Sequence, residues 1–233
     1  EGHLCYMQPT RLEEDLIEMG DEEYEEDDEV AGLNEKDDIV YKFVFFDFET
    51  SQEKVLKDAA IGPTLEHVPN LCIVHIVCDD CMDKKLNECK RCGQNRRQFM
   101  GPTCLQEFCD FLFNDKMKNV IAIAHNSKGF DGQFILQYLF KQGVAPKVIM
   151  KGLEIMCLSI RSIKIIDSYN FLPMALSALP KTFGVTEAAK GYFPHLFNEA
   201  NNWNYIGQWP DAYYYSPTST KPAAYNKFMQ WHL

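Results

Sequence analysis

Residues 39–46 read Ile39-Val40-Tyr41-Lys42-Phe43-Val44-Phe45-Phe46, apolar at every position but Lys42, and then meet Asp47-Phe48-Glu49-Thr50. An aromatic and β-branched run of this length is the composition of a strand buried inside a sheet. Along a strand, residues i and i+2 share a face. Asp47 and Glu49 are therefore predicted to project side by side from the end of a core strand. Two carboxylates so placed repel one another unless a cation lies between them, and hard oxygen ligands favour Mg²⁺ or Mn²⁺. Taken alone, Asp-x-Glu more often marks nothing beyond the polar end of a strand.

The chain that follows alternates strands and helices. Leu71–Val77 reads as a second buried strand, Arg96–Met100 as a short third, and Leu105–Phe113 as a helix behind Thr103 as N-cap. Val120–Ala124 is a wholly apolar strand, and Phe130–Phe140 places Phe134, Ile135, Tyr138 and Leu139 on one helical face. Two further strands, Glu154–Ile160 and Ile163–Asp167, precede a short helix expected from Pro173 to Gly184. Past Gly191 no period survives, which predicts an extended linker or the lead-in to another domain. The expectation is an α/β layer fold on a mixed sheet over 39–200, flanked by a leader at 1–38 and a linker at 201–233.

Charge divides the chain the same way. Residues 1–40 hold 16 acidic side chains against two basic ones, while the other 193 residues are net +3, within a total of −11. A self-repelling block such as Asp21–Glu29 predicts a disordered acidic leader. No stretch is long and apolar enough to cross a membrane, and no secretory signal opens the chain. It begins at Glu1 and stops in mid-pattern at Leu233, as a piece of a longer protein would.

Four of the nine cysteines form two tight pairs, Cys78-x₂-Cys81 and Cys89-x₂-Cys92. That spacing suits a tetrahedral Cys₄ zinc site better than free thiols or a redox pair. Gly93 would permit the tight turn of the second knuckle. An odd cysteine count fits a reducing intracellular compartment, the nucleus among them, rather than a disulfide framework. The insertion, about 78–93, and its flank carry Lys84, Lys85, Lys90, Arg91, Arg96 and Arg97, either as a contact to a DNA backbone or as a solvated basic loop.

A second acidic cluster, Ala124-His125-Asn126-Ser127-Lys128-Gly129-Phe130-Asp131-Gly132, follows a buried strand and opens a helix. Asp131 is thus predicted to reach the crevice that receives Asp47 and Glu49. Two metal ions there could activate a water and stabilise the leaving oxygen of a phosphodiester. Asp47-Phe48-Glu49-Thr50 with His125-Asn126 through Asp131 resembles the first two exonuclease motifs of family B DNA polymerases. Ile165-Ile166-Asp167-Ser168-Tyr169-Asn170-Phe171-Leu172-Pro173, Leu179–Gly184 and Lys190–Asn198 are similar to further segments of the protein-primed enzymes. The set resembles most closely the polymerases of Maverick/Polinton transposons and related linear plasmids and viruses, over about residues 40–210.

The resemblance implies an RNase H-like 3′→5′ proofreading domain of a DNA-directed DNA polymerase, a nucleotidyltransferase. It makes Asp47, Glu49 and Asp131 the metal-binding catalytic carboxylates, with Thr50, Asn126 and Phe130 holding a single-stranded DNA 3′ end. Ser168 falls in a motif that contacts DNA or a terminal priming protein. The Asn-to-Asp spacing is one residue longer here than in the small phage enzymes. The family's third motif, Tyr-x-x-x-Asp, is not found after Asp131: four residues after Tyr205 and Tyr225 stand Trp209 and Met229. The fourth carboxylate is expected beyond Leu233, as are the polymerase motifs. The competing expectations are a free-standing exonuclease and a domesticated, non-catalytic module that binds DNA or a partner.

Overall fold

The predicted core strand forms, and it is longer than its apolar run. In a computed structural model describing residues 40–55, 65–82, 84, 87–185 and 191–233, β1 spans Lys42–Val55 and β2 spans Leu65–Cys78. They pair antiparallel from Lys42 opposite Cys78 to Val55 opposite Leu65. Each strand extends past its hydrophobic stretch because the other supplies hydrogen-bond partners, which the local pattern does not register. The acidic leader lies outside the described residues.

Beyond β2, the short strands β3 (Glu88–Cys89) and β4 (Gly93–Gln94) pair with each other, and β5 (Arg96–Met100) returns antiparallel to β2. Helix α1 (Cys104–Leu112) follows. Thr103 stands at its N-cap position, but its hydroxyl donates to Glu107 at 2.6 Å rather than capping the backbone. Strand β6 (Val120–Ala124) lies parallel to β1, and α2 (Asp131–Lys141) comes next. An edge strand with no apolar alternation, β7 (Lys147–Lys151), escapes the sequence pattern. Then β8 (Glu154–Ile160) and β9 (Ile163–Asp167) complete a seven-stranded mixed sheet of order β5-β2-β1-β6-β9-β8-β7.

The core lies between one face of this sheet and the two main helices. Val44, Phe46 and Phe48 point inward from β1 to meet Phe108 of α1, and Phe48 also meets Phe134 of α2 edge-on. Fully burying one such ring contributes roughly 2–3 kcal/mol. The alternate residues Phe45 and Asp47 are exposed on the other face. Core strand and polar rim are thus one alternation, set by the period-2 geometry of β1.

The helix expected from Pro173 begins later. A 3₁₀ turn at Leu176–Ala178 runs into α3 (Leu179–Thr182), with Pro180 in its first turn, where the missing N–H costs nothing. After Gly191 the chain is not extended. Short 3₁₀ turns lead to α4 (Pro222–His232), whose Phe228 and Trp231 pack on Tyr192 and Tyr215. Aromatic packing orders this segment without any hydrophobic period.

Candidate active site and metal centre

β1, β6 and β9 are mutually parallel, so their C-terminal ends open on one side of the sheet. β6 stops at Ala124 while β1 runs on through Asp47 and Glu49, leaving a crevice at the sheet's end. Crevices of this kind are where α/β sheets bind ligands. The loop after β6 turns through Asn126, left-handed at φ 63°, into a 3₁₀ turn at Ser127–Gly129, and α2 starts at Asp131.

Asp131 is 5% exposed, and its carboxylate accepts the N–H of Phe48 at 3.2 Å. Phe48 is the residue between Asp47 and Glu49. The carboxylates of Asp47 and Asp131, 84 residues apart in sequence, are thereby brought to one rim. Burial, and then the neighbouring Asp47 charge, push the Asp131 carboxyl up to about 6. An acid starved of solvation beside another acid is relieved by a hard divalent cation, so the donor set fits Mg²⁺ or Mn²⁺. Among the described residues the four cysteines are the only group of three or more His, Cys, Asp or Glu side chains gathered closely enough to hold a metal, and Asp47, Glu49 and Asp131 do not form one.

Thr50 and Phe130 meet through a residue that the sequence reading passed over. Thr50 Oγ1 lies 2.9 Å from His67 Nδ1, and the His67 ring packs edge-on against Phe130 at 5.1 Å. Phe130 also packs on Phe134, so it is half core and half wall.

Asp167 ends the predicted strand and belongs to the Ile165–Pro173 segment, with no role expected from either; it is 1% exposed and organises the loop. Its carboxylate accepts the backbone N–H groups of Asn126 at 2.8 Å, Tyr169 at 2.8 Å and Lys128 at 3.0 Å. Charge-assisted bonds of this kind are roughly twice as strong as neutral ones. They hold Asn126 in its left-handed conformation, which asparagine adopts more readily than other residues with side chains. Ser168 turns its hydroxyl inward, within reach of the Ala124 carbonyl at 3.2 Å and of His125 Nδ1 at 3.0 Å. His125 also contacts the Met174 carbonyl and so braces the loop. Lys128 is not a solvated charge: it pairs with Glu154 at 2.9 Å and lies over the Tyr169 ring.

The aperiodic segment after Gly191 also reaches this rim. His195 Nδ1 lies 3.6 Å from Glu49 Oε2, and Asn198 bonds to the Thr50 carbonyl at 3.0 Å. The only sequence signal for either was their place in the Lys190–Asn198 segment.

At the other end of β1 and β2 the four cysteines converge. Their sulfurs lie within 4.8 Å of one another, with Cys78–Cys81 and Cys78–Cys89 at 3.8 Å and Cys81–Cys92 at 3.6 Å. Tetrahedral Zn–S bonds of 2.3 Å require S···S separations of about 3.8 Å, so the group fits a zinc ion. Backbone N–H groups of Cys92 and Arg91 lower the Cys89 thiol to about 7, while burial pushes the Cys78 and Cys92 thiols up, so it is a bound cation that would draw the set into thiolates. Gly93 takes φ +79°, the conformation the knuckle demands. Cys78 pairs with Lys42, five residues before Asp47, which places this centre roughly 17 Å along β1 from the carboxylates. Of the nearby basic residues, Arg91 pairs with Asp80 at 3.0 Å and Arg97 lies over Phe111.

Residues 113–229 match the family described as DNA polymerase type B, organellar and viral. The chain belongs to that family. It is 43% identical over 75 residues to a probable DNA polymerase of Podospora anserina, covering 30% of this chain and 6% of that protein. A probable DNA polymerase of Agaricus bitorquis is 32% identical over 114 residues, 46% of this chain and 14% of that protein. The chain thus corresponds to less than a sixth of either polymerase. In fold it is similar to Phi29 DNA polymerase complexed with single-stranded DNA, at a TM-score of 0.50 and 17% identity, over 82% of this chain and 31% of that one. The family match begins after the cysteine cluster and leaves β1 outside it, so Asp47, Glu49 and the thiols are placed by the structure rather than by the match.

Proposed function

We propose that this chain is the 3′→5′ proofreading exonuclease region of a protein-primed, family B DNA polymerase of the Maverick/Polinton kind. In this reading the sheet is RNase H-like, and a structural zinc knuckle lies at its far end. The observation that carries it is the seat of Asp131 on the N–H of Phe48, between Asp47 and Glu49, where the parallel strands end. Supporting it, β1 lies centrally, with antiparallel β2 on one side and parallel β6 and β9 on the other.

Asp47, Glu49 and Asp131 would hold the catalytic ions. Divalent ions bound there supply the activation of water and the stabilisation of the leaving oxygen. Thr50, His67 and Phe130 form the wall along which a frayed 3′ end lies, with the Phe130 ring available to a base. Asn126, fixed by Asp167, offers its amide to the terminal nucleotide. The Ser168 segment is the surface for the DNA strand or a terminal priming protein. Nucleotidyl transfer belongs to other parts of the parent polymerase, and a downstream Tyr-x-x-x-Asp supplies the remaining carboxylate.

Digestion of 5′-labelled single-stranded DNA tests the proposal. A polypeptide that includes the downstream Tyr-x-x-x-Asp is expected to shorten the strand from its 3′ end in Mg²⁺, and the 233-residue chain to do so poorly. Asp47→Ala should abolish shortening. Undiminished digestion by Asp47→Ala, or binding of the strand with no digestion by the longer polypeptide, would overturn the assignment. The second result would favour a non-catalytic DNA-binding module.

A further inference from the structure

β1 and β2 lose register beside the carboxylates. Glu49 faces Leu71 but Thr50 faces Pro69, leaving Asn70 as an extra residue on β2. Such a bulge redirects the side chain it carries. Asn70 is 4% exposed, and its carbonyl accepts the N–H of Gly101 at 2.8 Å. Its side-chain amide is paired head to tail with Asn198, 128 residues away. Asn70 Nδ2 donates to Asn198 Oδ1 at 2.7 Å, and Asn198 Nδ2 donates to Asn70 Oδ1 at 3.0 Å. The same Nδ2 also donates to the Thr50 carbonyl at 3.0 Å, so both amide protons of Asn198 are engaged. Two residues on, the N–H of Ala200 donates to Glu53 Oε2 at 3.1 Å. The segment fastened by these bonds carries His195, whose Nδ1 lies 3.6 Å from Glu49 Oε2.

We propose that Asn70 and Asn198 are positioning residues that strap residues 193–198 across the end of β1 and hold His195 against Glu49, orienting that carboxylate for metal. The inference rests on the exonuclease reading. A mobile Glu49 would sweep several rotamers and spend little time aimed at an ion. An imidazole seated beside it narrows that range, provided the imidazole is itself held. His195 opens the one-turn 3₁₀ segment His195–Phe197, which the bonds at Asn198 tie to β1 and β2, while Phe197 packs on Tyr205 and Tyr214. Partners of this kind, one shell out from the ligands, typically contribute 10–100-fold in metal affinity.

The test is Mn²⁺ binding to the zinc-loaded 233-residue chain, followed by the loss of the free Mn²⁺ electron paramagnetic resonance signal. Asn198→Ala and His195→Ala should each weaken binding about tenfold. Their double variant should be no weaker than either alone, because both act through one contact. Asn198→Asp, which loses both donors and brings a charge to the Thr50 carbonyl, should be worse still, and Asn70→Ala should match Asn198→Ala. Melting temperatures within a few degrees of the parent chain show that the fold is intact. Asp47→Asn and Asp131→Asn separate the two levels of argument. If they weaken Mn²⁺ binding while Asn198→Ala and His195→Ala leave it within twofold, the strap is refuted and the carboxylate site stands. If neither Asp variant matters, or the chain binds no Mn²⁺, the exonuclease reading fails and the strap with it.

Discussion

The β1–β2 pair carries two sites built on opposite plans, one at its Cys78 end and one midway along β1. At the Cys78 end, four ligands from fifteen consecutive residues meet at separations already suited to a metal. At Asp47, midway along β1, Asp131 comes from 84 residues further along, and His195 and Asn198 come from further still. The cysteine site closes on itself and leaves no open position, which is the form of a structural centre. The carboxylate site stores repulsion: Asp131 is buried beside Asp47 and held up to about 6. One site gains stability by being filled, and the other loses stability by being kept ready.

The largest expected effect separates the two plans directly. Asp131→Asn should cost at least roughly 10³-fold in digestion by the longer polypeptide, because charge stabilisation is usually the dominant catalytic contribution. With zinc bound and no Mg²⁺ or Mn²⁺ added, at pH 7.5, the same substitution should raise the melting temperature of the 233-residue chain, since the amide keeps an acceptor for Phe48 and removes a buried charge. A lower melting temperature would mean that Asp131 is not under the strain described.

Cys81→Ser or Cys89→Ser should do the reverse. Metal analysis is expected to find about one zinc in the parent chain and close to none in the variants. A closed zinc site contributes folding free energy outright. At 2–4 °C per kcal/mol for a domain of this size, the melting temperature should fall by at least about 5 °C. Below that temperature Mn²⁺ binding at the carboxylates should persist. Folded, reduced protein without zinc would erase the contrast.

The pH dependence carries its own sign. The Asp131 carboxyl titrates near 6 folded and near its ordinary value of 3.8 unfolded, so the folded chain binds the proton more tightly. The Asp131 contribution, read as the stability of the parent chain minus that of Asp131→Asn without added Mg²⁺, should therefore be greatest below about pH 4, fall as pH rises to 6, and stay flat above, a total on the order of 2–3 kcal/mol. Urea midpoints of the zinc-loaded parent and of Asp131→Asn check this, and Mg²⁺ at pH 7 should recover part of the loss. A parent-minus-variant difference that rises over that window would contradict the burial argument.

Asp167→Asn should have the smallest effect, about 1–2 kcal/mol, since two of the three N–H groups keep an acceptor. Its signature is local: faster amide exchange at Asn126 and Lys128 with unchanged zinc content. Uniformly faster exchange would show that Asp167 supports the fold as a whole rather than the loop.

What the sequence could determine by itself is whatever local spacing encodes. The alternation of β1 sends Asp47 outward and Phe46 and Phe48 inward, and the two Cys-x₂-Cys pairs need only a tight turn to converge. The strand at Val120–Ala124 and the start of α2 at Asp131 were legible for the same reason. Tertiary structure alone decided the rest. His67 joins Thr50 to Phe130, Asp167 grips the Asn126 loop, and Asn198 ties an aperiodic segment to a bulge at Asn70. Each of these is a single polar side chain answering a backbone or amide group far away in the chain. Hydrophobic period carries no record of such pairs, because it reports which face is buried and not which donor meets which acceptor. β7 and α4 were missed likewise: an edge strand and an aromatic-packed helix take their order from neighbours rather than from their own pattern.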